Sequence, residues 1–216
     1  MRKLLTISVC VIVLAFALEA KATVLTFDDL PALGNGTYAQ IVSPYGGLDW
    51  SSSWYYMNTT DRDDGYANGT VSGDYVAFNG GADDVSINNG VVFDWDGAYF
   101  TSAWDEGLNI DIKGYSGAAL LYSTTLVVGP KGPALFAANW AGIDNLTFSS
   151  YYLYSKCCGK GSSKGCCGDT EKPSQFVMDN FSFNNKPSEN VPEPTTFLLI
   201  GSGLVGLGFM RRKFKG

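Results

Sequence analysis

The feature that most constrains this fold is a series of short β-prone runs between residues 23 and 190. The runs are rich in aromatic and β-branched residues, and turn-forming Gly, Asn, Asp, Ser and Pro separate them. The turns recur every 8–15 residues or so, which gives about ten or eleven strands, and no helical period is present. This spacing predicts an all-β domain, an antiparallel β-sandwich or jelly roll.

Three stretches of this segment carry specific local predictions. Residues 48–57 contain four aromatic residues and are predicted to form one long strand. Residues 61–73 are polar and rich in glycine, so they are predicted to form a loop. An Asn-Gly dipeptide at 89–90 separates two β-prone runs, 85–87 and 91–95, and predicts a hairpin with a two-residue turn.

The first 22 residues have the organisation of a secretory signal peptide. Arg2 and Lys3 form a positively charged start, residues 4–18 are apolar, and Ala20 and Ala22 complete an A-x-A cleavage motif. We expect this signal to be helical and to be cleaved before Thr23. Residues 23–190 are then the exported domain, which is long enough to bury a substantial core.

The last 26 residues combine a short motif, an apolar run and a basic end. The motif comprises Val191, Pro192, Glu193 and Pro194. Its prolines separate the apolar run, 195–210, from any upstream fold. As a helix this run rises about 24 Å, slightly less than the ~30 Å hydrocarbon core of a membrane. Residues 211–216 are basic and should stay cytoplasmic, so we predict one transmembrane helix with the preceding domain exported.

In its order of motif, span and basic end, the tail resembles the PEP-CTERM sorting signal of Gram-negative bacteria. The resemblance implies recognition by an exosortase, an inner-membrane processing enzyme, and cleavage near residues 191–194. With the signal peptide, it implies the Sec export machinery as a second partner. The protein would contact the membrane transiently, as an inner-membrane intermediate, before it reaches the cell surface or the extracellular matrix.

The charge of the exported domain narrows its partners. Residues 23–190 contain 8 lysines and arginines against 19 aspartates and glutamates, a net charge of −11. Such a surface repels nucleic acids and anionic lipids, and it favours cations or neutral ligands. Nucleic-acid binding is therefore excluded.

Four cysteines lie close together in the segment 156–168, in the pattern CC-x7-CC. They are Cys157, Cys158, Cys166 and Cys167. An even number of cysteines in an exported domain indicates disulfides. Of the three pairings we favour a nested ladder, Cys157 with Cys167 and Cys158 with Cys166, because vicinal pairing strains the peptide between adjacent cysteines. A zinc site with four cysteine ligands is the alternative, although adjacent cysteines do not have the usual ligand spacing.

Hydrolytic mechanisms that depend on histidine are excluded, because the chain contains no histidine, and it has no P-loop motif. Carboxylate chemistry remains, since a glycosidase needs two acidic residues. The candidate pairs are Asp105 with Glu106, beside Trp104, and Asp94 with Asp96. Acidic strand ends beside an aromatic residue are common in soluble sandwiches, so we predict a protein that is not an enzyme.

Two further groups of residues are candidates for ligand binding. Asp61, Asp63 and Asp64 place three carboxylates in a glycine-punctuated loop and form a candidate calcium site, with solvated turn carboxylates as the alternative. A second group offers flat rings that could stack on sugars, on whichever sheet face is exposed. These candidate stacking residues are Trp50, Trp54, Tyr56, Trp95 and Trp104. Trp54 and Tyr56 share one face of their strand, and Tyr55 lies on the other.

Three stretches, residues 25–30, 47–50 and 178–183, resemble the exported jelly-roll domains that precede this sorting signal. Those domains are galactose-binding-like sandwiches, so the resemblance implies a fold rather than a ligand. The leading functional hypothesis is a structural or carbohydrate-binding component of a biofilm or exopolysaccharide matrix. The alternatives are a carboxylate-dependent glycan hydrolase and a scaffold without a ligand.

Overall fold

The computed structural model describes residues 22–157 and 166–185, which belong to one unit that runs from Ala22 to Asn185. The described strands are β1 (Thr23–Leu25), β2 (Tyr38–Gln40), β3 (Asp49–Trp50), β4 (Trp54–Asn58), β5 (Tyr75–Asn79), β6 (Val85–Ser102), β7 (Leu108–Ser116), β8 (Ala119–Val128), β9 (Ala134–Cys157), β10 (Cys166–Pro173) and β11 (Phe176–Asn185). A short helix, α1 (Gly65–Asn68), and a 3-10 turn, Gly80–Ala82, interrupt them. The predicted all-β class is confirmed.

Both predicted terminal helices lie outside the described residues. Within the part of the chain that the structure describes, no helix has the length and apolar character needed to cross a membrane. The predicted signal cleavage site falls where β1 begins, at Thr23.

The strands form a single antiparallel sheet, which folds over into a two-layered sandwich. The strand order is β2-β4-β5-β11-β6-β9-β7-β8, with β1 joined to β11, β3 to β6 and β10 to β9. The long strands β6 and β9 pair along most of their length, but their register shifts between Asn88 and Phe93. The two halves of each strand therefore contribute to different layers, as expected of bulged strands at the corner of a sandwich.

Aromatic side chains fill the space between the layers. Trp54 of β4 meets Phe148 of β9 at 5.7 Å and Phe176 of β11 at 5.6 Å between ring centroids. Trp95 of β6 stacks on Phe181 at 5.8 Å. All five side chains are essentially inaccessible to solvent. Burial of a ring of this size stabilises the fold by about 1.5–3 kcal/mol, so these contacts hold the layers together.

The predicted single strand over residues 48–57 is wrong. A turn separates β3 from β4, and the Trp54 N–H closes it by donating to the Ser51 carbonyl at 3.1 Å. β3 pairs with the first half of β6, whereas β4 pairs with β2 and β5. The turn therefore carries the chain from one layer to the other, and Trp50 and Trp54 meet edge to face at 5.1 Å.

The predicted hairpin at the Asn-Gly dipeptide is also wrong, because β6 continues through it. Asn88 pairs with Asn145, and Phe93 pairs with Ile143. Between these two pairs β6 contains more residues than β9. Gly90 has the positive φ of 61° that the dipeptide favours, but it lies in a bulge. Because residues on both sides of the bulge pair with the same strand, the extra residues bend β6 instead of reversing it.

The predicted loop over residues 61–73 contains the helix α1. Asp64 caps its N-terminus, since the carboxylate accepts hydrogen bonds from the Tyr66 and Ala67 N–H groups. The end of this segment is held by Asp179 of β11, whose carboxylate accepts from the Val71 and Ser72 N–H groups at 2.7 and 2.9 Å.

Asp179 is fully buried, and this burial raises the pKa of its carboxyl to about 6. Hydrogen bonds from the Ser72, Val71 and Asn180 N–H groups act in the opposite direction, and the Asp28 carboxylate adds to the rise. Desolvation of the charged form outweighs the three donors. The end of the segment 61–73 is therefore hydrogen-bonded to β11 through the carboxyl group of Asp179, whose ionised form is disfavoured by burial.

Candidate functional site

A groove of about 500 Å³ lies on the outer face of the sheet formed by β2, β4 and β5. Its other walls come from the loop around α1, the 3-10 turn and the segment that follows β6. We call it the aromatic groove, because five rings line it: Tyr38, Tyr55, Tyr66, Phe78 and Trp104.

The five rings form one continuous chain of contacts. Tyr38 contacts both Tyr55 and Phe78 at 5.9 Å between ring centroids. Phe78 meets Tyr66 at 5.2 Å, and Tyr66 meets Trp104 at 5.4 Å. The three middle rings are buried or half-buried, whereas Tyr38 is 62% and Trp104 is 54% exposed. The floor is therefore fixed by packing, and the residues at its two ends are exposed to solvent.

Strand alternation explains why this face is aromatic. Successive side chains of β4 point to opposite faces, so Trp54 and Tyr56 enter the core while Tyr55 lies in the groove. The predicted division of these three residues between two faces agrees with this arrangement.

Gly80 allows the Tyr55 ring to approach the turn after β5 closely. A Cβ atom at this position would lie 2.4 Å from the ring, closer than atoms can approach. The glycine therefore shapes the groove through close packing.

Polar groups lie beside the rings. The Tyr66 hydroxyl donates to the Gln175 Oε1 at 2.5 Å, which orients the Gln175 amide at the groove wall. At another wall, the Ser53 hydroxyl donates to the exposed Asp83 carboxylate at 2.9 Å. Amide, hydroxyl and carboxylate groups can exchange hydrogen bonds with the hydroxyls of a ligand.

The one cation among the groove residues is neutralised by an aspartate. The Arg62 guanidinium forms an ion pair with Asp64 and lies 5.0 Å from the centroid of the Tyr66 ring. Burial raises the pKa of the Tyr66 phenol, so the ring stays neutral at physiological pH. The groove therefore has no uncompensated positive charge for an anionic ligand.

Four of the five predicted stacking residues are not available to a ligand. Trp50, Trp54, Tyr56 and Trp95 are buried between the layers, so the prediction is wrong for them. Because a flat ring is also the largest apolar side chain, the strands place most of these rings in the core. Trp104 is exposed and lies in the groove.

The structure does not assemble the predicted calcium site. Asp64 is occupied as the helix cap and as the partner of Arg62, and Asp61 accepts from the Asn35 amide at 2.7 Å. Neither these two residues with Asp63 nor any other described set of three acidic or cysteine side chains could hold a metal ion. The three aspartates therefore do not come together as a set of ligands in the part of the chain that the structure describes.

The candidate catalytic carboxylates make separate contacts within the domain. Asp105 accepts from the Ser174 hydroxyl at 2.5 Å, and Glu106 pairs with Lys131 at 2.7 Å. Asp94 accepts from the Gly142 N–H, and Asp96 accepts from the Ser182 hydroxyl and the Asn184 amide. None of the four belongs to the groove lining.

The cysteine segment is described in part. β9 and β10 form antiparallel arms that lead into it, and their register places the backbone of Cys166 opposite Cys157, where the favoured ladder places Cys167. Residues 158–165, and with them Cys158, lie outside the described residues. The disulfides therefore stay a prediction.

Sequence reasoning missed four of the five groove rings. Tyr55 was recognised as facing away from Trp54, but Tyr38 and Phe78 join it only through the pairing of β2, β4 and β5. Tyr66 comes from the helix α1 and reaches the groove through its contact with Phe78. The alternation within β4 was the one local signal for this face. Alternation predicts the face to which each side chain points. It does not predict how exposed that side chain is, because the neighbouring elements determine what covers the face.

Comparisons with known proteins concern the C-terminal tail and the fold of the exported domain. Residues 190–213 match the model of the PEP-CTERM protein-sorting motif, so the chain carries this motif and the resemblance of its tail is confirmed. The motif indicates an exosortase as the processing partner and export across the membrane to the cell surface.

No curated protein matches the chain. Among solved structures, it is similar to TmCBM61 in complex with beta-1,4-galactotriose, with 12% identity and a TM-score of 0.34. The match covers 66% of this chain and 90% of that one. A similarity at this level carries no argument about ligand or site.

Proposed function

We propose that the exported domain binds a neutral polysaccharide along the aromatic groove, without hydrolysing it. The observation that carries this proposal is the continuous chain of five rings, with Tyr38 and Trp104 exposed at its ends. Flat rings match the apolar faces of sugar rings, and neighbouring polar groups can bind the sugar hydroxyls.

Charge supports a neutral ligand over an anionic one. The exported domain carries a net charge of −11, and Arg62, the cation of the groove, is paired with Asp64. An acidic polysaccharide would meet repulsion from the domain as a whole. A neutral chain can bind through ring contacts and hydrogen bonds, which do not depend on net charge.

The binding test uses the fragment 23–190, which contains every described core residue, from Leu25 to Phe183. Calorimetric titration compares neutral glucans, galactans and mannans with an acidic polyuronate. We expect binding to at least one neutral polymer and not to the polyuronate. Trp104→Ala and Tyr38→Ala should each weaken binding about tenfold, equivalent to about 1.4 kcal/mol.

Tyr154→Ala is the matched control, because Tyr154 is a half-exposed aromatic residue that packs on Lys172 away from the groove lining. Binding unchanged in this variant and weakened in the two groove variants supports the proposal. Equal losses in all three, or no binding to any neutral polymer, would contradict it. Release of new reducing ends, lost in Asp105→Asn, would instead favour the glycan hydrolase.

We propose the extracellular matrix as the final location, since a polysaccharide-binding domain released at the cell surface would be retained there. Replacement of Pro192 and Pro194 by alanine should leave the protein in the inner membrane, because the sorting motif matched at residues 190–213 is broken. Fractionation of tagged protein measures this. Equal amounts of both forms in the matrix would rule out processing at the motif.

We also propose that the cysteine segment forms two disulfides in the exported protein. The antiparallel arms β9 and β10 bring its two ends together and support a cross-linked hairpin. Intact mass without reductant should be lower by four hydrogens, and peptide mapping would assign the pairing. Four thiols open to alkylation would contradict the proposal.

A further inference from the structure

Strand β8 is an edge strand with a free side. It is last in the strand order and pairs with β7 alone among the strands that the structure describes. Its ten residues, Ala119 to Val128, include no charge, proline or glycine, and its pairing with β7 is unbroken from Tyr122 to Val128. An edge of this kind presents a row of unpaired backbone groups to which another strand can add.

The other edges within the described residues are each protected. β1, β2 and β3 are two or three residues long. β10 carries charged residues and ends in Pro173. The first half of β9, beyond the reach of β7, is broken by positive φ angles at Asn139 and Gly142. Short length, charge, proline and bulges are the usual protections of an edge. β8 has no charge and no proline, and its one register shift against β7, at Leu121, lies just outside the unbroken run from Tyr122 to Val128.

The exposed side chains of β8 are complementary to themselves. In an antiparallel pair of two β8 strands centred on Thr124, Leu121 of one copy lies opposite Val127 of the other, and Ser123 lies opposite Thr125. Leu121 and Val127 are both large, exposed apolar side chains. Each pair therefore occurs twice across the two-fold axis, and no like charges meet although the domain is strongly acidic.

We propose that two copies of this chain associate through antiparallel pairing of their β8 strands. A second copy fits this edge because it supplies the same uncharged strand in a register that joins apolar to apolar and hydroxyl to hydroxyl side chains. A charged partner strand would find no opposite charge on β8. Because the pairing uses the free edge of both copies, it closes at a dimer.

Sedimentation equilibrium of the fragment 23–190, over about 1 μM to 1 mM, tests the proposal. Two double variants change the same two exposed positions. Ser123→Lys with Thr125→Lys places lysine opposite lysine in both cross-copy pairs, whereas Ser123→Glu with Thr125→Lys places glutamate opposite lysine. We expect dimers for the wild type and the Glu/Lys variant, and at least a tenfold weaker association for the Lys/Lys variant.

A second pair of variants covers the case in which the double lysine prevents folding. Leu121→Lys removes the apolar pairs and should give a monomer, while Val42→Lys alters a large exposed apolar residue outside β8 and should leave the dimer intact. Thermal unfolding checks that each variant is folded. A monomeric wild type at 1 mM, or equal association of the Lys/Lys and Glu/Lys variants, would overturn the proposal.

Discussion

The two faces of β4 use similar side chains for different purposes. Trp54 and Tyr56 point into the sandwich and are buried, whereas Tyr55 points outward into the aromatic groove. Trp54 touches Phe148 of β9 and Phe176 of β11, and Tyr56 touches Tyr75 of β5, so the inner rings contribute to stability. The outer rings continue to Tyr38 and Trp104, which are exposed. The difference shows that the direction of a ring, and not its residue type, separates core from candidate binding surface.

The two faces also differ in polarity. The inner face packs against a large cluster of apolar side chains. The outer side of the same sheet buries the Asp179 carboxyl and places Arg62 and Gln175 beside the rings. A sheet face that carries polar groups between its rings can make directional contacts with a ligand, which a purely apolar face cannot.

Loss of an inner ring should have the largest effect on stability. Trp54→Ala removes contacts with Phe148 and Phe176 and the hydrogen bond from Nε1 to the Ser86 carbonyl. We expect the free energy of unfolding in urea to fall by about 3–5 kcal/mol. Trp104→Ala, on the outer face, should lower it by about 1 kcal/mol or less. Similar losses in the two variants would remove the distinction between the faces.

The buried carboxyl of Asp179 should make stability depend on pH. Its pKa of about 6 in the folded protein lies above the ordinary value of 3.8, so the folded state holds the proton more tightly than the unfolded state. The contribution to stability is complete below about pH 4 and is lost as the pH rises through 6, by about 3 kcal/mol in total.

Asp179→Asn isolates this effect, because the amide cannot ionise. Urea unfolding at several pH values should show the wild type losing stability relative to the variant between pH 4 and 6, with a constant difference above pH 7. If the difference in unfolding free energy between the wild type and Asp179→Asn did not change with pH, the pKa of Asp179 would be the same in the folded and unfolded states. This result would contradict the burial of its carboxyl group on the outer side of the sheet.

A smaller effect is expected from a methyl group beneath the groove. Gly80→Ala forces the Tyr55 ring to move, since a Cβ atom would lie 2.4 Å from it. We expect a loss of about 1–3 kcal/mol in stability, together with weaker binding of the neutral polymer. Gly132→Ala is the control, because nothing lies within 4 Å of its Cβ position. Unchanged binding in Gly80→Ala would show that Tyr55 does not shape the site.

The sequence predicted the class of fold because the turn spacing and the alternation of β4 are local properties. It did not predict that β6 passes through the Asn-Gly dipeptide, since the continuity of β6 depends on the distant strand β9, which pairs with it on both sides of the bulge. Likewise, the break between Trp50 and Trp54 follows from their pairing with different layers. These choices belong to tertiary structure and override local turn signals.

The candidate site was predicted less well for the same reason. Tryptophan is both the best sugar-stacking residue and the largest core residue, so composition favoured rings that the structure buries. Trp104 alone among the predicted stacking residues is exposed, and its neighbour Tyr66 comes from a short helix within a predicted loop. In the same loop, Asp64 caps the helix and Asp61 accepts a hydrogen bond from Asn35. The sequence alone does not distinguish these roles from metal ligation.

Chemical oxidation of tryptophan tests the central claim most directly. Trp104 is exposed, whereas Trp50, Trp54, Trp95 and Trp140 are buried. Limited N-bromosuccinimide treatment of the folded fragment, followed by peptide mass analysis, should therefore modify Trp104 first. We predict that a neutral polysaccharide which binds the domain protects Trp104, and that a polyuronate does not. Oxidation of Trp104 at an unchanged rate in the presence of every bound polymer would contradict a binding site in the aromatic groove.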